Sequence, residues 1–345
     1  MNMEETGQCH FETGIYRPPS EGGSFSLLLR ITRNCPWNRC TFCMMYKEEK
    51  FSLRSEEELK QDIDSIARVC DRLLETSHRL GFNGQINRRV ALDLLDQDPG
   101  LGMLSGYPMV VNWMISGAKT AFLQDANSLI MKSERLVAVL RYLRETFPTL
   151  ERVTSYARSK TIAKKEPDQL QAIREAGLER LHVGLETGDD ELLLEIKKGV
   201  TSEEQIIAGK KAMAAGFQLS EYWMPGLGGR EKSRQHAENT ARVLNEIDPH
   251  YIRSRPFFPY PGTPIQQDFA RGKFKLLTVG EQLTELKRMM EKLEFTAKVC
   301  FDHDGNHWTD ENGRRLFSLD YEGYQFPLEK PTVLALIEKG LAGTN

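Results

Sequence analysis

From about residue 24 to residue 260 the chain repeats one pattern, a short apolar run followed by a longer segment whose apolar positions recur at helical spacing. The runs SFSLLLRIT (24–32), KTAFLQD (119–125), RVTSYA (152–157), RLHVGLE (180–186), QLSEYWM (218–224) and YIRSRPFF (251–258) predict six strands. Helical spacing predicts helices over about 55–80, 133–146, 168–176, 189–196, 202–215 and 232–246. The stretch GFNGQINRRVALDLLDQDPGLGMLSGYP, beginning at residue 81, has no clean period. A substrate-facing insertion and a packing helix suit residues 81–116 equally.

Alternation of this kind implies an α/β fold with a parallel sheet and right-handed crossovers. Six units suit an open doubly wound sheet or an incomplete barrel, and in both the ligand sits at the C-terminal ends of the strands. The reading divides the chain into an N-terminal segment (1–24, containing RPPSEGG), a core domain (25–260) and a C-terminal extension covering the barrel mouth (261–345). A chain of 345 residues without repeats or long linkers suits one large core.

Charge narrows the partners. Lys and Arg number 46 against 49 Asp and Glu, a net charge of −3, so no polyanionic partner and no nucleic acid are indicated. No window approaches the ~20 apolar residues that a spanning helix needs. The start, MNMEETGQCHFETG, is polar and acidic rather than signal-like, and six scattered cysteines make no dense disulfide framework. The expected setting is the cytoplasm, with reduced thiols.

The chemistry concentrates in CPWNRCTFC, which puts Cys35, Cys40 and Cys43 just past the first strand. A closed structural zinc site takes four protein ligands. A cubane iron–sulfur cluster wants one thiolate per iron, so three cysteines leave one iron open to another ligand. A zinc site completed by a distant His, or plain reduced thiols, are the alternatives. Cys9, Cys70 and Cys300 stand alone and read as buried or inert thiols.

A cysteine loop after the first strand, Phe42 just before the last cysteine, and six βα units together resemble the radical S-adenosylmethionine superfamily. The resemblance covers about residues 25–260 and implies a partial (βα)6 TIM-like barrel. It departs from the superfamily's usual C-x3-C-x2-C spacing, since this loop is C-x4-C-x2-C. It implies a [4Fe–4S] cluster on Cys35, Cys40 and Cys43, with S-adenosylmethionine chelating the open iron and Phe42 beside the cofactor. Reductive cleavage to a 5′-deoxyadenosyl radical would then abstract hydrogen from an organic substrate. Electrons would come from a partner such as flavodoxin or ferredoxin.

The same resemblance points to a cofactor pocket. In LQDANSL, Asp125 is the leading partner for the cofactor's ammonium and Asn127 the second, although both residue types also favour helix caps. HVGLETGDDELLLEIKKG resembles the fourth strand and following helix of the coproporphyrinogen III dehydrogenase-like and Elongator-like branches. Carried over, Glu186 becomes the ribose ligand and Lys198 the carboxylate partner, chemistry that suits both groups. Lys197 is the adjacent rival, and a solvated surface lysine is the alternative. In QLSEYWMPGLGG, Gly226, with Gly228 and Gly229, permits close backbone approach to the cofactor, as would an ordinary turn. Tyr222 stands where some relatives carry an acid, and GLGG lacks the Lys-Ser/Thr of a phosphate loop.

On the substrate side, Arg253 and Arg255 alternate and so share a face, suiting a substrate carboxylate or phosphate, or else outer salt bridges. In CFDHDGNHW, Asp302, His303, Asn306 and His307 suit substrate binding or a polar turn. His236 reads as a surface or helix-packing residue. No side chain is singled out as catalytic. The leading function is a radical enzyme of the oxidoreductase type. A non-catalytic cluster-containing carrier of the haem-chaperone type comes second, and a zinc-binding or scaffold protein third.

Overall fold

A computed structural model describes residues 9–14 and 26–343. RPPSEGG, the opening of the first expected strand and most of the expected N-terminal segment lie outside the described residues. The chain divides into two compact units. One takes the described residues up to Asn34 with Phe51–Tyr156 and Ala172–Glu179, and the other Cys35–Lys50, Ala157–Gln171 and Arg180 onward.

The first unit opens with β1 (Leu27–Arg30), the short antiparallel pair β2 (Thr32–Arg33) and β3 (Ser52–Leu53), and α1 (Glu56–Arg79). α1 starts where Ser55 and Glu58 form a reciprocal capping box, Ser55 Oγ accepting from the Glu58 amide and Glu58 Oε2 from the Ser55 amide. Leu59, Ile63, Ile66, Val69 and Leu73 form its fully buried stripe. Burying each such side chain is worth about 1.5–3 kcal/mol.

Residues 81–116, which carried no readable period, form packing helices. α2 (Arg88–Gln97) is capped by Asn87, a 3-10 turn spans Pro99–Met103, and α3 (Tyr107–Ile115) follows. Both helices pack against α1. α3 buries Tyr107, Met109, Val110, Val111 and Trp113 on more than one face, so helical amphipathicity could not show there. The unit continues with β4 (Thr120–Gln124), α4 (Ser133–Thr146) and β5 (Arg152–Ala157). β4 pairs in parallel with β1, Leu27 opposite Ala121 and Arg30 opposite Gln124, and with β5 on its other side.

The second unit contains the cysteine loop, α5 (Ser159–Lys164) and most of the following turns. α6 (Pro167–Glu175) carries the chain from this unit back to the first. Next come β6 (Arg180–Glu186), α7 (Asp190–Glu195), α8 (Ser202–Ala214), β7 (Gln218–Trp223), α9 (Gly229–Ile247) and β8 (Tyr251–Ser254). The remainder holds α10 (Pro264–Ala270), α11 (Val279–Lys292), β9 (Lys298–Cys300), β10 (Tyr324–Gln325) and α12 (Lys330–Ala342).

β6, β7, β8 and β9 pair in parallel, and β10 closes the edge antiparallel to β9. Strand alternation gives the second unit's sheet two unlike faces. Register groups Leu181, Val183, Leu219, Trp223, Ile252 and Val299 on one, and His182, Ser220, Tyr222, Arg253 and Cys300 on the other.

The protein is thus a mixed α/β fold with predominantly parallel strands, and all six expected βα strands are present. The six expected strands gain one neighbour, because β9, after residue 260, joins β8 in parallel. Three residues are too few to display a period of two. Among the described residues, no helix is long and apolar enough to cross a membrane.

Candidate functional site

The cysteine loop is irregular and is fixed by polar contacts with one apolar anchor. Asn38 sits in the left-handed region at φ 48°, which Asn tolerates better than most residues. Its amide lies 3.4 Å from Cys35 Sγ, its side-chain amide donates to the Tyr46 carbonyl, and its own carbonyl accepts from Lys47 Nζ at 3.2 Å. Lys47 also donates to the Cys40 carbonyl at 2.8 Å. Thr41 N–H donates to the Ile196 carbonyl at 2.9 Å. Phe42, expected at the cofactor, packs against an apolar cluster that includes Leu192, Ile196, Met224, Leu227 and Phe257.

Cys35, Cys40 and Cys43 are half-buried, free thiols. Burial pushes the Cys40 and Cys43 thiols up. Cations oppose it: Lys198 and Arg158 act on Cys40, and Lys47 and Arg255 on Cys43, where the Met45 backbone N–H also favours the thiolate. Arg158, at the end of β5, feels Cys35 and Cys40 in turn. This donor set fits an anionic, thiolate-ligated cluster, with N–H groups and cations around its sulfurs. Among the described residues, no three His, Cys, Asp or Glu side chains converge on a single ion.

Next to the loop, the two residues carried over from the resemblance meet. Lys198 is buried and its Nζ lies 2.9 Å from Glu186 Oε1. Glu186 has φ 64°, and the register between β6 and β7 shifts between Gly184 and Glu186. A left-handed non-glycine costs of order 1 kcal/mol and marks a position held by its surroundings. A Cβ at Gly184 would stand 2.3 Å from Glu186 Oε1 and 3.0 Å from Lys198 Nζ, so the pair lies directly over that glycine. The solvated-lysine alternative describes Lys197, which is exposed, and not Lys198.

Two residues passed over in the sequence belong here. Arg158 donates to the Lys198 carbonyl at 2.7 Å. Its only sequence signal is a base directly after an apolar strand. Glu221 is buried in β7, its Oε2 without a hydrogen-bond partner. Burial holds its carboxyl well above the usual range, Lys198 opposing and Glu186 reinforcing the shift. A carboxylate in the middle of QLSEYWM was the available signal. Glu221 shares the face of Leu219 and Trp223. Neighbouring Tyr222 lies on the opposite face, its ring 5.5 Å from that of His182.

Gly226 has φ 84° and open space where a Cβ would stand, but its N–H donates to buried Glu285 at 2.6 Å. Gly228 and Gly229 lie against the Lys232 backbone and the Lys275 carbonyl, so the ordinary-turn reading accounts for them. His236 is not on the surface. It is fully buried on α9, hydrogen-bonded to Thr187 Oγ1 at 2.8 Å and the Met224 carbonyl at 3.0 Å.

In the first unit, Asp125 is buried, and its Oδ2 accepts from Arg30 Nε and the Asn34 amide, both at 2.8 Å. Its Oδ1 has no hydrogen-bond partner and faces Gly14, where a Cβ would come within 2.3 Å. Arg30 also pairs with Glu12, which pairs with Arg33. Asn127 is fully buried at the start of the 3-10 turn Ser128–Ile130 without making a side-chain cap. The helix-cap alternative therefore fails for Asn127, and α4 takes its N-cap from Lys132 rather than from Asp125.

The two arginines in and just after β8 part company. Arg253 is fully buried, 2.9 Å from Asp302 Oδ2, with Nε on Ser220 Oγ at 3.1 Å and Tyr321 stacked 4.2 Å from its guanidinium carbon. It is an internal ion-pair residue rather than an open cation. Arg255, past the strand end, is half-buried and acts electrostatically on Cys43 and His303. Burial and Arg255 push His303 down to about 4. His303 Nδ1 accepts from the Gly305 amide, and buried Asn306 donates to the Ser254 and His303 carbonyls. These bonds make the polar turn real. His307 is exposed. Cys70 and Cys300 are buried as expected, whereas Cys9 is partly exposed.

No family model matches the chain. An uncharacterized methyltransferase of Pyrococcus horikoshii is 27% identical over 128 residues, which is 37% of this chain and 27% of that protein's length. Among solved structures, Elp3 of the archaeon Methanocaldococcus infernus covers 75% of this chain at 15% identity and a TM-score of 0.45. The chain spans 60% of its length. Coproporphyrinogen III oxidase (HemN) from Escherichia coli, a radical S-adenosylmethionine enzyme, covers 79% of this chain at 15% identity and a TM-score of 0.47. This chain spans 54% of HemN and is similar to it in structure.

Proposed function

We propose that the protein is a radical S-adenosylmethionine enzyme whose core spans about residues 25–260, with residues 261–345 as an extension over the site. The observation that carries this reading is the clustering, within one unit, of three half-buried thiols beside the ion pair of buried Lys198 with half-buried Glu186, and Arg158. Cys35, Cys40 and Cys43 would hold a [4Fe–4S] cluster. When bound, that cluster would supply the electron that cleaves S-adenosylmethionine to a 5′-deoxyadenosyl radical, for hydrogen abstraction from an organic substrate.

The chain's own residues supply orientation. Lys198 neutralises the cofactor carboxylate, and Glu186 accepts the ribose hydroxyls. Gly226 leaves room beside the cofactor. Arg255, with His303 held neutral, offers an anionic group of the substrate a cation and a donor. A flavodoxin- or ferredoxin-like protein would supply electrons in the cytoplasm.

The test is anaerobic reconstitution with iron and sulfide, dithionite reduction, and mass analysis for 5′-deoxyadenosine, with EPR recorded with and without S-adenosylmethionine. Production of 5′-deoxyadenosine and a cofactor-shifted signal is the expected result. A cluster that forms but neither shifts nor cleaves the cofactor would move the protein to a carrier role. Loss of the cluster on changing Cys35, Cys40 or Cys43 singly to Ala assigns each as a ligand.

A further inference from the structure

The extra residue between the first two cysteines comes with a tryptophan in an unusual position. Trp37 Nε1 donates to the Lys197 carbonyl at 2.7 Å, and its ring lies on Gly199, where a Cβ would come within 2.3 Å. Two guanidiniums flank the ring, Arg39 at 5.1 Å and Arg158 at 5.0 Å from its centroid. Arg158 in turn donates to the Lys198 carbonyl. The carbonyls of Lys197 and Lys198 are therefore both taken by side chains from elsewhere in the unit, one from the cysteine loop and one from the end of β5.

The held segment has little freedom of its own. Lys197 and Gly199 both adopt left-handed backbone, at φ 52° and 74°, so Lys198 sits between two conformationally committed residues. Its ammonium is directed at Glu186. A continuous set of contacts thus runs from the stretch between Cys35 and Cys40, through Trp37, to the backbone that aims Lys198. A packed chain of this sort can carry coupling between two binding events, and such coupling is reciprocal.

We propose that Trp37 and Arg158 are positioning residues that couple occupancy of the cysteine loop to the orientation of Lys198. Fixing the sulfurs of Cys35 and Cys40 fixes the loop between them, which clamps residues 197–199 and sets Lys198 for the cofactor carboxylate. Cofactor binding at Lys198, by reciprocity, tightens the loop. The proposal rests on the radical S-adenosylmethionine reading.

The experiment compares hydrogen exchange of a peptide spanning residues 196–200 in metal-free and iron–sulfur-reconstituted protein, for wild type, W37F and R158K. Loading is expected to slow exchange of this peptide about tenfold or more in wild type, and much less in the two variants. W37F keeps an aromatic ring but loses the N–H donor. It should still load its cluster with an unchanged EPR signal before cofactor addition, and bind S-adenosylmethionine about fivefold more weakly, the worth of one ordinary hydrogen bond. R158K keeps the charge but not the planar, stacking group, and its 196–200 peptide should likewise respond much less to loading. If wild type loads its cluster and the 196–200 peptide does not respond, or if W37F responds fully, the coupling is wrong while the enzyme reading stands. If wild type takes up no cluster, the underlying reading fails first, and the absorbance of the reconstituted sample reveals which has happened.

Discussion

Asp125 and Glu186 are both acids at or just beyond a strand end, and they are held in opposite ways. Asp125 is buried in the first unit, its Oδ2 locked by Arg30 and a backbone amide within a wider ion network. Glu186, in the second unit, bends its own backbone into the left-handed region and is paired with one lysine. The first arrangement is complete on one oxygen and leaves the other, Oδ1, without a hydrogen-bond partner. The second is a single ion pair at 2.9 Å. An acid held by several donors is tied to the surrounding fold, and an acid held by one cation depends on that cation alone.

The largest effect follows from the first arrangement. Arg30→Ala leaves Asp125 buried without its cation and should cost about 3–5 kcal/mol in urea unfolding. A cost below about 1 kcal/mol would erase the contrast. Next, Lys198→Ala should cost about 1–3 kcal/mol. It should also weaken S-adenosylmethionine binding to the reconstituted protein, measured by equilibrium dialysis. Unchanged affinity would remove Lys198 from the pocket.

A pH series sharpens the picture within the second unit. Glu221 has a folded value raised above its ordinary 4.5, so the stability it contributes is fully present below that value and is lost as pH rises toward the folded one. Glu221→Gln should therefore match wild type in urea midpoint near that ordinary value and exceed it at neutral pH. His303 runs the other way, its folded value depressed from 6.5 to about 4, so its contribution is present above 6.5 and lost as pH falls through 4. An NMR titration should find its imidazole neutral until close to pH 4. The smallest effect belongs to exposed Lys197. Lys197→Ala should change stability by no more than about 0.5 kcal/mol, against the larger loss at its neighbour.

The parts legible in the sequence were those with a period or a dense motif. Six strands and their helices announce themselves through alternation and helical spacing, and a motif matched residue by residue singled out Glu186 and Lys198, though not their pairing with each other. Residues 81–116 were opaque because α3 is buried on several sides, and β9 because three residues cannot show alternation. Arg253 and Arg255 looked equivalent in the strand pattern. They differ because Asp302, 49 positions downstream of Arg253, claims one of them, and such a pairing is a tertiary fact. Trp37 went unread for the same reason, since its hydrogen-bond acceptor lies 160 residues away.

The sealing of Cys70 and Cys300 has a practical outcome. Burial pushes both thiols up to about 12, which leaves them almost wholly unionised in the native fold and inert to alkylation. Native-state labelling with iodoacetamide would then count Cys9, Cys35, Cys40 and Cys43, while labelling after denaturation counts all six. Disappearance of three of the four native labels on reconstitution would be a stoichiometric census of the loop, read by peptide mass and independent of any spectrum.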